Sequence, residues 1–233
     1  MAGRRASARP HRPRSRHFLR SRSLAAAIVA GADVSARDLV VDIGAGSGRL
    51  TAELARVARR VVAIELDPQL AACLRGRWAN VQVVVGDAVA VALPDEPFRV
   101  VANIPFAHTN DLLHRLLDDP RLPLERADLI VEWGVAVKRG LPAPSSVSGI
   151  LWGAFHELRV ERKLPASAFE PPPSCDAGVL VATRRSRPLI EPNELAAYRR
   201  FVADAFRRGR RVGGALPRDL DAHQWAERFR RRE

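Results

Sequence analysis

The chain has 233 residues, 47% of them apolar, and 38 basic against 26 acidic side chains give it a formal charge of +12. That length holds one sizeable core and a small second domain, and the apolar share excludes a chain disordered throughout. No apolar run reaches membrane-spanning length, Cys73 and Cys175 make no disulfide framework and fit a reduced, cytoplasmic compartment, and six histidines without ligand spacing leave no metal site to expect.

Taken in order, residues 1–15 are rich in Arg, Pro and Ser and read as a disordered basic arm; residues 1–22 carry eight Arg and no acid. Arg16-His17-Phe18-Leu19 leads into a helix over about 22–32. A secretory leader with cleavage after Ala30-Gly31-Ala32 is a rival, but its apolar core is short and the residues beyond it have no secreted character. From 39 to 133 strand and helix signals alternate. Strands are expected at Leu39–Ile43, Arg60–Glu65, Val81–Val85, Arg99–Asn103 and Asp128–Trp133, and helices at 49–58, 68–77, 109–118 and 134–140. Such alternation builds a mostly parallel sheet with helices on both faces. After a Pro- and Ser-rich loop, 150–164 and 177–184 read as two strands able to pair antiparallel, although the former also fits a helical start. Two amphipathic helices, 191–207 and 219–231, finish the chain. Residues 184–233 hold fourteen Arg against seven acids, leaving 23–183 at −3. A slightly acidic centre between two basic flanks is the layout of a core enzyme that grips a polyanion. All cations but Lys138 and Lys163 are Arg, whose forked guanidinium suits phosphate.

Three stretches carry chemistry. Gly44-x-Gly46-x-Gly48 follows the first strand and precedes a helix, so its backbone can approach a ligand closely. The spacing is one residue shorter than the dinucleotide fingerprint, which disfavours a pyrophosphate and suits S-adenosylmethionine, whose tail is an amino acid. Glu65 closes the next strand, where a carboxylate can accept both ribose hydroxyls, with Leu66 beside the adenine face. Asp87, with Ala88 next to it, ends the third strand and can accept from the adenine amino group. Then Asn103-Ile104-Pro105-Phe106 ends a buried strand in a proline-stiffened turn. An exocyclic adenine amine is a poor nucleophile because its lone pair is delocalised into the ring. Accepting its N–H bonds at Asn103 and the Ile104 carbonyl turns that lone pair outward, and Phe106 stacks on an extruded base. Positioning then supplies most of the catalysis, and no strong general base is needed.

The ordered set Asp42–Gly48, Ile64–Asp67, Gly86–Ala88 and Asn103–Phe106 resembles the ribosomal RNA adenine N6-methyltransferases. Within them it is similar to the Erm enzymes, which methylate a 23S ribosomal RNA adenine and give macrolide–lincosamide–streptogramin B resistance. The dimethyladenosine transferases of the small subunit are relatives. The likeness spans roughly residues 15–185. It implies a doubly wound, Rossmann-like α/β sheet over 16–185 with one antiparallel strand near its end, and a small helical RNA-binding domain over 186–233. It also implies that Gly44 meets the methionine moiety, Glu65 the ribose, Asp87 the cofactor adenine and Asn103 both cofactor and target, with Gly46 a further cofactor contact. Phe169, with its proline-rich turn, borders the target-base pocket in that family. The family's Gln-Asn-Phe-Leu stretch closes over the cofactor; here it is Arg16-His17-Phe18-Leu19, so His17 and Leu19 are the corresponding contacts and both amides are lost. Arg207, Arg208, Arg210 and Arg211, clustered at a helix end, are expected phosphate contacts, and Trp78, Trp133, Trp152 and Trp225 are expected to be packing.

The reading is therefore a monomeric cytoplasmic methyltransferase acting on 23S ribosomal RNA, naked or in an early assembly particle. Its rivals are small-subunit adenine dimethylation, DNA adenine methylation, a non-catalytic RNA-binding or assembly factor of the same fold, and an NAD-dependent oxidoreductase.

Overall fold

The computed structural model describes residues 17–141, 143–144, 146–209 and 211–231. The expected basic arm at 1–15, with Arg16, lies outside them. In chain order the elements are β1 (Phe18–Leu19), α1 (Arg22–Gly31), β2 (Leu39–Ile43), α2 (Arg49–Val57), β3 (Arg60–Glu65), α3 (Pro68–Leu74), β4 (Val81–Val85), β5 (Phe98–Asn103), α4 (Thr109–Leu117), β6 (Leu124–Glu132), α5 (Trp133–Gly140), α6 (Val147–Phe155), β7 (His156–Leu164), β8 (Phe169–Glu170), β9 (Ala177–Arg184), α7 (Leu195–Arg208) and α8 (Ala222–Arg231).

Seven strands form one sheet in the order β4-β3-β2-β5-β6-β9-β7. The first five run parallel, and β9 is antiparallel to both β6 and β7. The side-chain period of two feeds two cores. Leu39, Val41 and Ile43 of β2 join Val100 and Ala102 of β5 beneath α4, whereas Val40 and Val101 join α1 and α2 on the other face. A sheet covered on both faces needs apolar residues at nearly every position, which is why these strands read as continuous runs. Helix starts follow their local chemistry. The Ser21 hydroxyl accepts from Leu24 N at α1, and the Asp67 carboxylate accepts from Gln69 N with Pro68 as the first residue of α3.

The chain winds β2-β3-β4 outward to one side, then returns to lay β5 on the other side of β2. That reversal opens a crevice at the carboxyl ends of β2 and β5, where such sheets bind ligands. β1 and β8, far apart in the sequence, pair as a two-stranded strap, with Phe18 opposite Glu170 and Leu19 opposite Phe169. The stretch 150–164, open between helix and strand from its sequence, divides: α6 ends at Phe155, and β7 takes the remainder as the sheet's edge.

The C-terminal helices share a third core with α6. Ile150, Leu151, Ala154 and Phe155 pack with Tyr198, Val202 and Trp225. Trp225 is fully buried, stacks on Phe206, meets Phe201 edge-on, and donates its indole N–H to the Pro217 carbonyl at 3.2 Å. Trp225→Ala should therefore cost about 3–5 kcal/mol of stability, read as a lower urea midpoint in far-ultraviolet circular dichroism. A loss below about 1 kcal/mol would mean that these helices do not unfold with the sheet.

Candidate functional site

Three glycines with positive φ shape the loop between β2 and α2: Gly44 (+71°), Gly46 (+55°) and Gly48 (+80°). Two of them could not be replaced without a collision as well as backbone strain. A Cβ on Gly46 would stand 2.7 Å from the Phe18 ring, and one on Gly48 would stand 2.5 Å from Leu74. The loop is tied to β3 by Gly44 N and Ala45 N, which donate to the Ile64 carbonyl at 2.8 and 3.1 Å. Gly46 N donates to Glu65 Oε2 at 2.8 Å, and Asp67 N donates to Glu65 Oε1 at 2.8 Å. One carboxylate thus fixes the loop of one strand and the turn of the next. Across the crevice, Asn103 Nδ2 donates to the His17 carbonyl at 2.7 Å, which orients the amide and leaves Oδ1 as its acceptor. His17 Nδ1 donates to the Pro171 carbonyl at 2.8 Å, and its ring lies 5.8 Å from that of Phe106.

These pieces enclose a cleft of about 900 Å³, counting its open mouth. Its wall holds His17, Gly44, Gly46, Glu65, Leu66, Asp87, Ala88, Asn103, Ile104, Pro105 and Phe106, every one a residue expected from the sequence. Glu65 is 6% exposed, while Leu66 stands 43% exposed at the mouth. Asp87 uses Oδ1 to accept from Val89 N at 2.9 Å, which folds the turn after β4. The cleft is acidic in an otherwise basic chain, since Glu65 and Asp87 line it and Asp42 lies behind the glycine loop.

Other expected residues stand elsewhere. Leu19 is buried among α1, α2 and Phe169, beside a small recess on the far side of Gly44. Alternation along β1 sends Phe18, rather than Leu19, to the cleft. Phe169 is 0% exposed and sits in the same apolar core, so its ring holds the β1–β8 strap and does not reach the cleft. Arg207 and Arg208 close α7, with Arg208 Nε 2.9 Å from Asp204, and Arg211 donates to the Gly214 carbonyl. All three belong to the C-terminal unit and not to the cleft wall, and Arg210 lies outside the described residues. The cleft also uses Phe18, Ile43, Ile64, Gly86, Val89, His108 and Leu112, none of them assigned a contact from the sequence, although Gly86 belongs to the Gly86–Ala88 stretch noted there. Of the tryptophans, Trp152 and Trp225 are fully buried, as packing residues should be.

Asp42 is 1% exposed, and its carboxyl is pushed up to about 7 from 3.8. Burial is the main cause, the Thr51 hydroxyl donating at 2.6 Å opposes it, and the charge of Glu65 adds to it.

A family model for ribosomal RNA adenine dimethylase matches residues 9–216. An rRNA methyltransferase of Streptomyces thermotolerans is 34% identical over 99% of this chain and 78% of its own length. The mycinamicin-resistance protein MyrB of Micromonospora griseorubida is 33% identical over 82% of this chain and 69% of its own. Among solved structures, the 23S rRNA methyltransferase ErmE superposes with a TM-score of 0.79 at 29% identity, covering 92% of this chain and 98% of that one.

The raised pKa of Asp42 has a sign that can be tested. The folded chain binds this proton more tightly than the unfolded chain between about pH 4 and pH 7, so stability from this group falls as pH rises through that window. Asp42→Asn keeps an oxygen for the Thr51 hydroxyl and removes the titration. Its stability relative to the parent should rise between about pH 5 and about pH 8, measured by urea unfolding at each. A constant difference across that range would contradict the assignment.

Proposed function

The chain belongs to the ribosomal RNA adenine dimethylase family, and from that membership we propose that it transfers methyl groups from S-adenosylmethionine to N6 of an adenine in 23S ribosomal RNA, conferring resistance to macrolide, lincosamide and streptogramin B antibiotics. The observation that carries the proposal is the turn Asn103–Phe106 facing the same cleft as Glu65 and Asp87. The likeness to a 23S rRNA methyltransferase and to a mycinamicin-resistance protein supports the choice of RNA and its consequence.

The residues present fit the cofactor. Each Glu65 oxygen has taken one backbone N–H and keeps a lone pair, so the carboxylate can receive a ribose diol. Asp87 and Leu66 offer an acceptor and an apolar edge for the adenine, and Gly44 and Gly46 present bare backbone on the cleft wall to the amino-acid tail. An acidic cleft also suits a molecule carrying sulfonium and ammonium charges. When bound, S-adenosylmethionine supplies an electrophilic methyl carbon.

The rest is the work of this chain. Asn103 Oδ1 and the Ile104 carbonyl accept the two N–H groups of the target amine, which directs its lone pair at the methyl carbon. Pro105 holds that carbonyl in place, and Phe106 stacks on the base. No side chain needs to remove a proton before attack, because the amine becomes acidic once alkylated and gives its proton to water. The Arg side chains of the C-terminal unit, with Arg207, Arg208, Arg210 and Arg211 among them, hold RNA phosphates. The target strand is thus gripped away from the acidic cleft that holds the cofactor. The reaction is assigned to the cytoplasm, where the RNA is made; among the described residues no helix is long and apolar enough to cross a membrane.

The test is methylation of purified ribosomal RNA with methyl-labelled cofactor, then primer-extension mapping of both subunits' RNA. Label at a 23S adenine is expected, and Asn103→Ala should lower its rate by about 10²-fold or more while the chain still unfolds cooperatively. Label confined to 16S RNA would overturn the choice of subunit. Full activity in Asn103→Ala would overturn the role of the turn.

A further inference from the structure

A second cavity, about 640 Å³ with its mouth, lies where the sheet's edge meets the C-terminal helices. His156 opens β7 and pairs with Arg184, at the end of the sheet opposite the Asn103 end, so this cavity is remote from the cleft. The His156 side chain lines it at 1% exposure, and neither ring nitrogen has a hydrogen-bond partner. Buried polar groups almost always find one, so an imidazole left with a donor and an acceptor unspent calls for an occupant.

The surroundings define the occupant. Arg139, at the end of α5, is half-buried, lies 4.8 Å over the Trp152 ring and donates to Ser146 Oγ at 2.7 Å. It makes no ion pair among the described residues. Arg185 donates from Nε to the Gly153 carbonyl and from Nη1 to Glu157, both at 2.9 Å, and stands 3.5 Å from His223 Nε2. Arg184, behind His156, gives its hydrogen bonds to the carbonyls of Pro120, Leu122 and Leu124, so its charge too has no carboxylate bonded to it. Two acids border the cavity, and both are engaged. Glu157 is spent on Arg185, and Asp221 accepts from Gln224 N at 2.8 Å as the cap of α8. Arg139 and Arg185 face the cavity with Glu157 and Asp221, but Glu157 is paired to Arg185 and Arg139 has no carboxylate bonded to it among the described residues, so the Arg139 guanidinium beside the imidazole is the charge left for an occupant. A guanidinium with no bonded carboxylate disfavours a metal cation beside the imidazole. Burial, then the charge of Arg184, push His156 down to about 4; the nearby Trp152 backbone opposes them and the charge of Arg185 adds to them.

We propose that this cavity binds a tetrahedral oxyanion of the phosphate class, held by Arg139 and Arg185 with the His156 N–H as the third donor. Two sources carry that chemistry: free inorganic phosphate, and a phosphodiester of an RNA strand. The second source rests on the RNA substrate proposed above; the first does not. Because a bound anion favours the imidazolium, anion affinity rises as pH falls.

Inorganic sulfate, doubly charged across the whole titration, is the probe. Imidazole resonances of the full chain are followed against pH in sulfate and in chloride of equal ionic strength, with His156→Leu identifying the His156 signal. The His156 midpoint should rise from about 4 by at least about one pH unit in sulfate, and Arg139→Gln should abolish the rise. A midpoint equal in the two salts, or a rise that survives Arg139→Gln, overturns the proposal. Thermal unfolding supplies a second reading, because sulfate also stabilises proteins non-specifically. The increment of sulfate over chloride should be larger in the parent than in His156→Leu, and equal increments count against the site. A 23S RNA fragment then separates the sources. Displacement of sulfate marks the phosphodiester, and sulfate retained alongside bound RNA marks the free anion.

Discussion

Glu65 accepts one N–H from the glycine loop and another from the turn that follows its own strand. The first bond ties the loop after β2 to the end of β3, already aligned by their parallel ladder, and the second folds the turn after β3, at the point where the chain's winding opens a crevice. The Ile64 carbonyl already holds the Gly44 and Ala45 amides, but the next left-handed glycine, Gly46, has no side chain to anchor it, and without the Glu65 acceptor its amide would be free to turn. The carboxylate removes that freedom and keeps acceptor capacity toward the cleft. On the opposite wall the Asn103 amide plays the matching part, because its bond to the His17 carbonyl ties the end of β5 to the strap of β1 and β8. The cleft therefore has two polar clamps, one between neighbouring strands and one between residues 86 positions apart.

Charge is divided along the same lines. The net charge of +12 belongs to the ends of the sequence, while the cleft presents Glu65 and Asp87, with Asp42 held behind them mainly by burial at a raised pKa. A polyanion is thus attracted to the protein as a whole but not into the pocket at its centre. For a methyltransferase this separation lets a cationic cofactor and a polyanionic substrate approach one turn, Asn103–Phe106, without competing for the same groups.

Much of this was legible in the residues. β2 and β3 announce themselves as short apolar runs because both faces of the sheet are covered there, and Glu65 at the end of β3 and Asp87 in the turn after β4 stand at the carboxyl edge where such acids face a crevice. The features that escaped were long-range. Phe18 and Leu19 form only a two-residue strand, whose partner at 169–170 no local pattern could name. That pairing decides that Phe18 faces the cleft while Leu19 and Phe169 turn into the core. The division of 150–164 was hidden for another reason: α6 is buried on all sides, so its residues lack the periodicity that marks a surface helix. The third core, shared by α6 and the C-terminal helices, follows from that burial.

The central claim is that Glu65 organises one pocket for S-adenosylmethionine, and calorimetric titration of the cofactor into the parent chain and into Glu65→Ala tests it most directly. The parent should bind one equivalent, and Glu65→Ala should bind at least about tenfold more weakly, a loss of roughly 1.4 kcal/mol or more. Equal affinity in the two proteins, or no binding to the parent, would contradict the account.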